Sequence, residues 1–136
     1  MKIKVKLDAK QRVLIAIYTE YQKDIPNMQE TITGENLELD EEVFVMALRK
    51  LENEGLIQNI EFFWAEGEVQ YFGFGDMLIS SYGIDYVEQK LGIDKTLSGL
   101  DKVKYIVTKS GEWGIEQIKD FGAKVISEII KSNIGK

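Results

Sequence analysis

Residues 38–57, ELDEEVFVMALRKLENEGLI, constrain this chain more than any other stretch, because a short amphipathic helix runs there straight into an extended segment. Asp40 is a favourable N-cap residue, and Glu41 and Glu42 stand in the first turn, where the helix dipole favours anions. Stepping about 100° per residue puts Phe44, Ala47, Leu48 and Leu51 on one side, with Val43 at its margin. Gly55 is placed to end the helix in the left-handed conformation. The following text, LIQNIEFFWAEGEVQYFGF over residues 56–74, reads as a β-hairpin. Ile60, Phe62 and Trp64 alternate with Asn59, Glu61 and Phe63, Glu66-Gly67 supplies the turn, and Val69 to Phe74 form the return strand.

The rest of the chain is mainly helical in pattern. MKIKVKL alternates like a half-buried strand, with lysines suited to an exposed edge. Asp8 and Gln11 have the spacing of a capping box, and Val13, Leu14, Ile17, Tyr18 and Tyr21 then form one apolar stripe. Pro26 requires that helix to have ended, and residues 27–37 read as a short helix or irregular turn. Ser80 can cap a helix with Ile84, Val87 and Leu91 inside. Leu97, Leu100, Val103 and Val107 suggest another, interrupted or bent near Ser98-Gly99. From Glu112 a last helix carries Ile115, Ile118, Phe121, Gly122, Val125, Ile126 and Ile129 over about half its circumference, wider than one core needs. The expected class is α+β, mainly α.

Composition narrows the chemistry. With 136 residues the chain has room for one compact domain, or a small domain with an added helical layer. Cysteine and histidine are both absent, which removes disulfides, thiolate or imidazole metal sites and the commonest general base. The Glu66–Glu68 pair lies at an exposed turn where nothing raises a pKa, and the acids at 40–42 are better explained by the helix dipole than by a metal. No enzyme, cofactor or metal site is expected. No apolar run approaches the ~20 residues of a membrane span, and MKIKVKLD has no signal-peptide h-region, so a cytoplasmic protein without a membrane role is expected.

Two phrases carry a family resemblance. "ALRKLENEGLI" resembles the junction of the third helix and first wing strand in winged helix-turn-helix domains, and ISSYGIDYVEQ resembles the box that follows the wing, with Ile79, Ser80, Gly83 and Tyr86 in the matching places. Together they are similar to the YjcQ-type winged-helix proteins and related small proteins of bacteria and their phages. That resemblance implies a winged helix-turn-helix domain over residues 1–92 and a C-terminal helical extension over 93–136. It also implies a small regulatory protein that binds double-stranded DNA as a homodimer.

In that arrangement the outward face of the third helix is Glu42, Met46, Arg49 and Asn53, flanked by Val45 and Lys50. Arg49 could meet a guanine edge, Asn53 an adenine and Lys50 a phosphate, with Lys2, Lys4, Lys6, Lys10 and Arg12 along the backbone. The charge speaks against it. Asp40 to Glu54 hold five acids and two bases, and the wing tip, Glu66-Gly67-Glu68, is acidic where the family's DNA binders are basic. The alternative is a protein-interaction module that has kept the scaffold, using Glu42, Met46, Phe63, Glu66 and Glu68. Six of the fourteen aromatic residues lie within 62–74, so both hairpin faces are aromatic; either the C-terminal helices cover the second face or a protein partner does. The broad face of the last helix (Ile115, Ile118, Gly122, Val125, Ile129) is the expected dimer contact, unless it packs on the body of its own chain.

Overall fold

The computed structural model describes residues 7–134 and places among them six helices and four short strands. In chain order these are α1 (Ala9–Tyr21), α2 (Met28–Thr31), α3 (Glu41–Asn53), β1 (Ile57–Gln58), β2 (Glu61–Ala65), β3 (Glu68–Gly73), β4 (Leu78–Ile79), α4 (Ser81–Leu91), α5 (Gly99–Lys109) and α6 (Glu116–Ile134). The class is α+β and mainly α, with a hairpin between α3 and α4 in a winged-helix-like arrangement. The strand expected over residues 1–7 lies outside the described residues except at Leu7, which is buried. Among the described residues no helix is long and apolar enough to cross a membrane.

The capping box at the start of α1 forms as the sequence indicates. The Asp8 carboxylate accepts the Gln11 N–H at 2.9 Å, and Gln11 Oε1 accepts the Asp8 N–H at 3.0 Å, a device worth about 1 kcal/mol. Beyond the cap α1 departs from the single stripe. Every residue from Val13 to Glu20 is buried, because α1 packs against α3, α4 and β4 and also against α5 and α6.

Its polar members therefore need partners inside the protein. Thr19 Oγ1 donates to the Ile15 carbonyl at 2.7 Å, and Glu20 Oε2 accepts the Asn27 N–H at 2.7 Å. Lys23 pairs with both Glu20 and Glu128 of α6. Burial disfavours the Lys23 charge, but its bonds to Glu128 and Glu20 outweigh that and hold its pKa above the ordinary lysine value. The Tyr18 hydroxyl and Lys102 Nζ both donate to Glu88 Oε2 at 2.8 Å, joining α1, α4 and α5. Burial first, and then Glu88, push the Tyr18 pKa above the usual tyrosine range.

Helix α3 buries Phe44, Ala47, Leu48 and Leu51 as the wheel requires. Asp40 occupies the cap position, yet its side chain makes no capping hydrogen bond; only its carbonyl takes part, accepting the Phe44 N–H at 2.9 Å. At the other end Gly55 has φ 75° and the Leu56 N–H returns to the Leu51 carbonyl at 2.9 Å, a Schellman closure that turns the chain directly into β1.

The hairpin is two antiparallel ladders rather than one. β1 pairs with β4 at the base and β2 with β3 at the tip. Asn59 (φ 66°) and Gly75 (φ 49°) interrupt the ribbon between them. At the tip both central turn residues, Glu66 and Gly67, have positive φ, as a tight type I′ hairpin turn requires.

Ser80 links α3 to α4. Its hydroxyl donates to the Gly55 carbonyl at 2.6 Å and accepts the Gly83 N–H at 2.9 Å. Gly83 lies so close to the chain that a Cβ there would stand 2.2 Å from the Leu56 carbonyl oxygen.

Two helix starts differ from expectation. Ser98-Gly99 begins α5 rather than bending it, since Ser98 Oγ accepts the Asp101 N–H at 3.1 Å, and Leu97 stays outside the helix. The last helix begins at Glu116, not near Glu112, after a turn through the left-handed Gly114. One apolar core runs from Leu7 through α1, α3 and the hairpin base to Val125 of α6.

The Gly83 contact is with backbone and cannot be relieved by a rotamer change. Gly83→Ala is expected to cost about 3 kcal/mol in urea unfolding, whereas Gly111→Ala, whose added carbon meets nothing within 4 Å, should change little. The raised Tyr18 pKa means that the folded state holds a proton the unfolded chain releases. Stability should thus fall as pH rises above about 10. Tyr18→Phe should lower stability at neutral pH by about 1 kcal/mol yet flatten the alkaline decline, as read from urea midpoints along a pH series.

Candidate functional site

The solvent side of α3 and the exposed faces of the hairpin beside it are the candidate surfaces. Glu42, Val43, Met46, Lys50 and Asn53 are exposed on α3, Val43 by 41% and Met46 by 43%. Arg49 is only partly exposed, because its guanidinium carbon sits 4.5 Å from the centroid of the Trp64 ring on the hairpin. Such a cation–π contact at a half-open site is worth about 0.5–1 kcal/mol, and it turns Arg49 toward the hairpin rather than outward. Between α1 and α3 a shallow hollow of about 260 Å³ is lined by Lys10, Val43, Met46 and Lys50 among others.

Of the basic residues expected to follow a DNA backbone, two lie among the described residues. Lys10 donates to both carboxylate oxygens of Glu54 at 2.9 Å, and those bonds hold its pKa above the ordinary value. Arg12 is partly buried on α1. Lys2, Lys4 and Lys6 lie outside the described residues. Lys50 and Asn53 thus stay together with Arg49 on α3, and Lys10 lines the same hollow as Lys50 while paired with Glu54.

The hairpin sorts its aromatic residues by face. Phe62, Phe72 and Phe74 point inward, and Phe72 stands 5.9 Å from Phe44 of α3 between centroids. On the outer face Phe63 and Tyr71 stack with centroids 4.5 Å apart and planes 18° from parallel. They remain 40% and 62% exposed, and Trp64 is 52% exposed. Of the two covers expected for the second hairpin face, the C-terminal helices are ruled out. α5 and α6 pack on each other and on α1 instead.

The expected dimer contact is corrected for the same reason. Ile115, Ile118, Gly122 and Val125 are buried within their own chain, and Ile129 packs against that core. A Cβ at Gly122 would meet Val107 Cγ2 of α5 at 2.5 Å, so the glycine serves the close α5–α6 approach. A hollow of about 400 Å³ between α2 and α6 lies away from α3, and its Lys23 and Glu128 are paired with each other.

Trp64 and Tyr71 were not singled out by sequence reasoning. Counting outward from the Glu66-Gly67 turn in a regular ladder pairs Phe63 with Gln70. An irregularity between Phe63 and Trp64 instead pairs Phe63 with Tyr71 and Phe62 with Phe72. No residue type in the segment announces that extra residue.

A protein-family model described as "YjcQ protein" matches residues 12–106, α1 through most of α5. No curated protein and no solved structure matches the chain.

Because Ile118 belongs to the monomer core, Ile118→Asp should destabilise the fold by more than about 3 kcal/mol. A dimer contact would instead give a folded monomer. Circular dichroism combined with sedimentation velocity separates the two outcomes.

Proposed function

The chain belongs to the YjcQ family, and from that premise we propose that it is a non-enzymatic interaction module whose α3–hairpin surface binds a protein partner. The observation that carries this reading is the number of large apolar side chains left exposed on these two elements: Val43 and Met46 on α3, and Trp64, Phe63 and Tyr71 on the two faces of the hairpin. Aromatic and methionine side chains of this kind supply much of the energy of protein interfaces. The charges favour the same reading. Glu42, Glu66 and Glu68 rim the surface, while Lys10 is engaged by Glu54 and Arg49 by Trp64. The lack of histidine and cysteine supports a non-enzymatic role.

A second reading, a DNA-binding transcriptional regulator, is favoured by one observation. Lys50 and Asn53 are exposed on the side of α3 that a winged helix turns to the major groove, and Arg49 stands beside them. It requires Arg49 to leave Trp64, and any dimer to form through a surface other than the buried face of α6.

A photo-crosslinking residue placed at Met46 in producing cells separates these readings. Protein adducts that resist nuclease are expected; nucleic-acid adducts would overturn the first reading. In parallel, a gel-shift series on genomic fragments should show no retention. Binding that falls steeply with salt and weakens by about 1–3 kcal/mol on Arg49→Ala would establish the second.

A further inference from the structure

We propose that the outer face of the β2–β3 hairpin is a receptor for arginine side chains of a basic protein segment. This inference rests on the protein-interaction reading and gives its partner a chemistry.

The face is defined by register. Phe63 lies opposite Tyr71, Glu61 opposite Gly73 and Ala65 opposite Glu68. Residues 61, 63 and 65 alternate onto one side of β2, so Glu61 and Glu68 share the side that displays the Phe63–Tyr71 stack. The result is an exposed, stacked ring pair with a carboxylate at each end, and Glu66 adds a third at the turn. Both end residues are exposed, and neither takes part in an ion pair among the described residues.

A face of this composition selects a planar cation. The faces of the rings attract positive charge, and a guanidinium both stacks on them and donates paired hydrogen bonds to a carboxylate at the edge. An ammonium does the first and lacks the planar fork for the second. The hairpin already seats one guanidinium over a ring, Arg49 over Trp64 at 4.5 Å, on its opposite face. Among the described residues the two cations seated on rings are Arg49 on Trp64 and Lys109 on Tyr105, which leaves the Phe63–Tyr71 stack uncovered.

The four-residue step from Glu61 to Ala65 is about 13 Å along the strand. An extended segment with arginines two residues apart, about 7 Å between side chains, sets one guanidinium on the ring pair and brings the next to an end carboxylate. Single-stranded nucleic acid also stacks on such rings, but its phosphates would meet Glu61, Glu66 and Glu68.

The test is an NMR titration of the full chain with the peptide acetyl-Gly-Arg-Gly-Arg-Gly-amide, its lysine and citrulline counterparts, and oligothymidine. The arginine peptide should shift the Phe63 and Tyr71 ring signals and bind more tightly than the other three probes. Tyr71→Ala should weaken it roughly fivefold. The pair Glu61→Gln and Glu68→Gln, which alters no packing, should weaken it and remove most of its salt dependence. Unshifted rings, equal binding by the glutamine variant, or tighter binding of oligothymidine would each overturn the proposal. Protein adducts at position 46 with unshifted rings would reject this site and leave the broader reading standing. Shifted rings without such adducts would do the reverse.

Discussion

The burial of α1 on all sides governs the rest of the molecule. A helix with one apolar stripe can lie on a single layer, but one that hides every residue from Val13 to Glu20 must be enclosed. α3, α4 and β4 provide part of the enclosure, and α5 and α6 complete it. Enclosure takes Tyr18, Thr19 and Glu20 away from water, and each would cost about 1–3 kcal/mol if left without a partner. Tyr18 donates to Glu88 of α4, which also accepts from Lys102 of α5; Thr19 returns to the Ile15 carbonyl of its own helix; and Glu20 meets Lys23, itself tied to Glu128 of α6. Buried ion pairs add little net stability compared with apolar packing. Here they decide which helix lies where, because another placement would strand a charge.

Everything left open on the surface follows from that enclosure. The wide apolar face of α6 meets α5 and α1, so most of it is taken up within its own chain and does not roof the hairpin. The hairpin is anchored on its inner side alone, where Phe72 meets Phe44. Its outer side remains with water, as do Val43 and Met46 on the side of α3 that faces Lys10. An acidic, aromatic surface beside a winged-helix-like scaffold is thereby produced by packing elsewhere.

Much of the fold was legible because local chemistry and tertiary structure agree. The Asp8–Gln11 box, the Ser80 cap, the inner face of α3 and the Gly55 closure each depend on residues within one or two turns of one another. The illegible parts depend on which elements enclose one another. Thr19 and Glu20 read as the polar side of an amphipathic helix, since their partners Ile15, Lys23 and Asn27 are close in sequence and nothing in them reveals that distant helices cover that side. The width of the α6 face was readable, but not its occupant. The Val107 methyl against Gly122 comes from a different helix. Asp40 shows the converse limit: its position is right for a cap, yet its side chain makes no capping bond.

The candidate site was half legible for a related reason. The residues on α3 follow from the wheel, because its inner face is fixed by Phe44, Ala47, Leu48 and Leu51. The hairpin residues follow from a register that one irregularity resets. In a regular ladder Tyr71 would face Phe62 and share the inner side; the shift sends Phe72 inward instead, against Phe44, and leaves Tyr71 stacked on Phe63 outside. The inner contacts therefore also hold the outer pair in place. Rings already stacked at 4.5 Å lose little further freedom when a ligand settles on them, so less of the attraction is offset by ordering. The same one-residue shift that conceals the ring pair from sequence reasoning is what brings the two rings together.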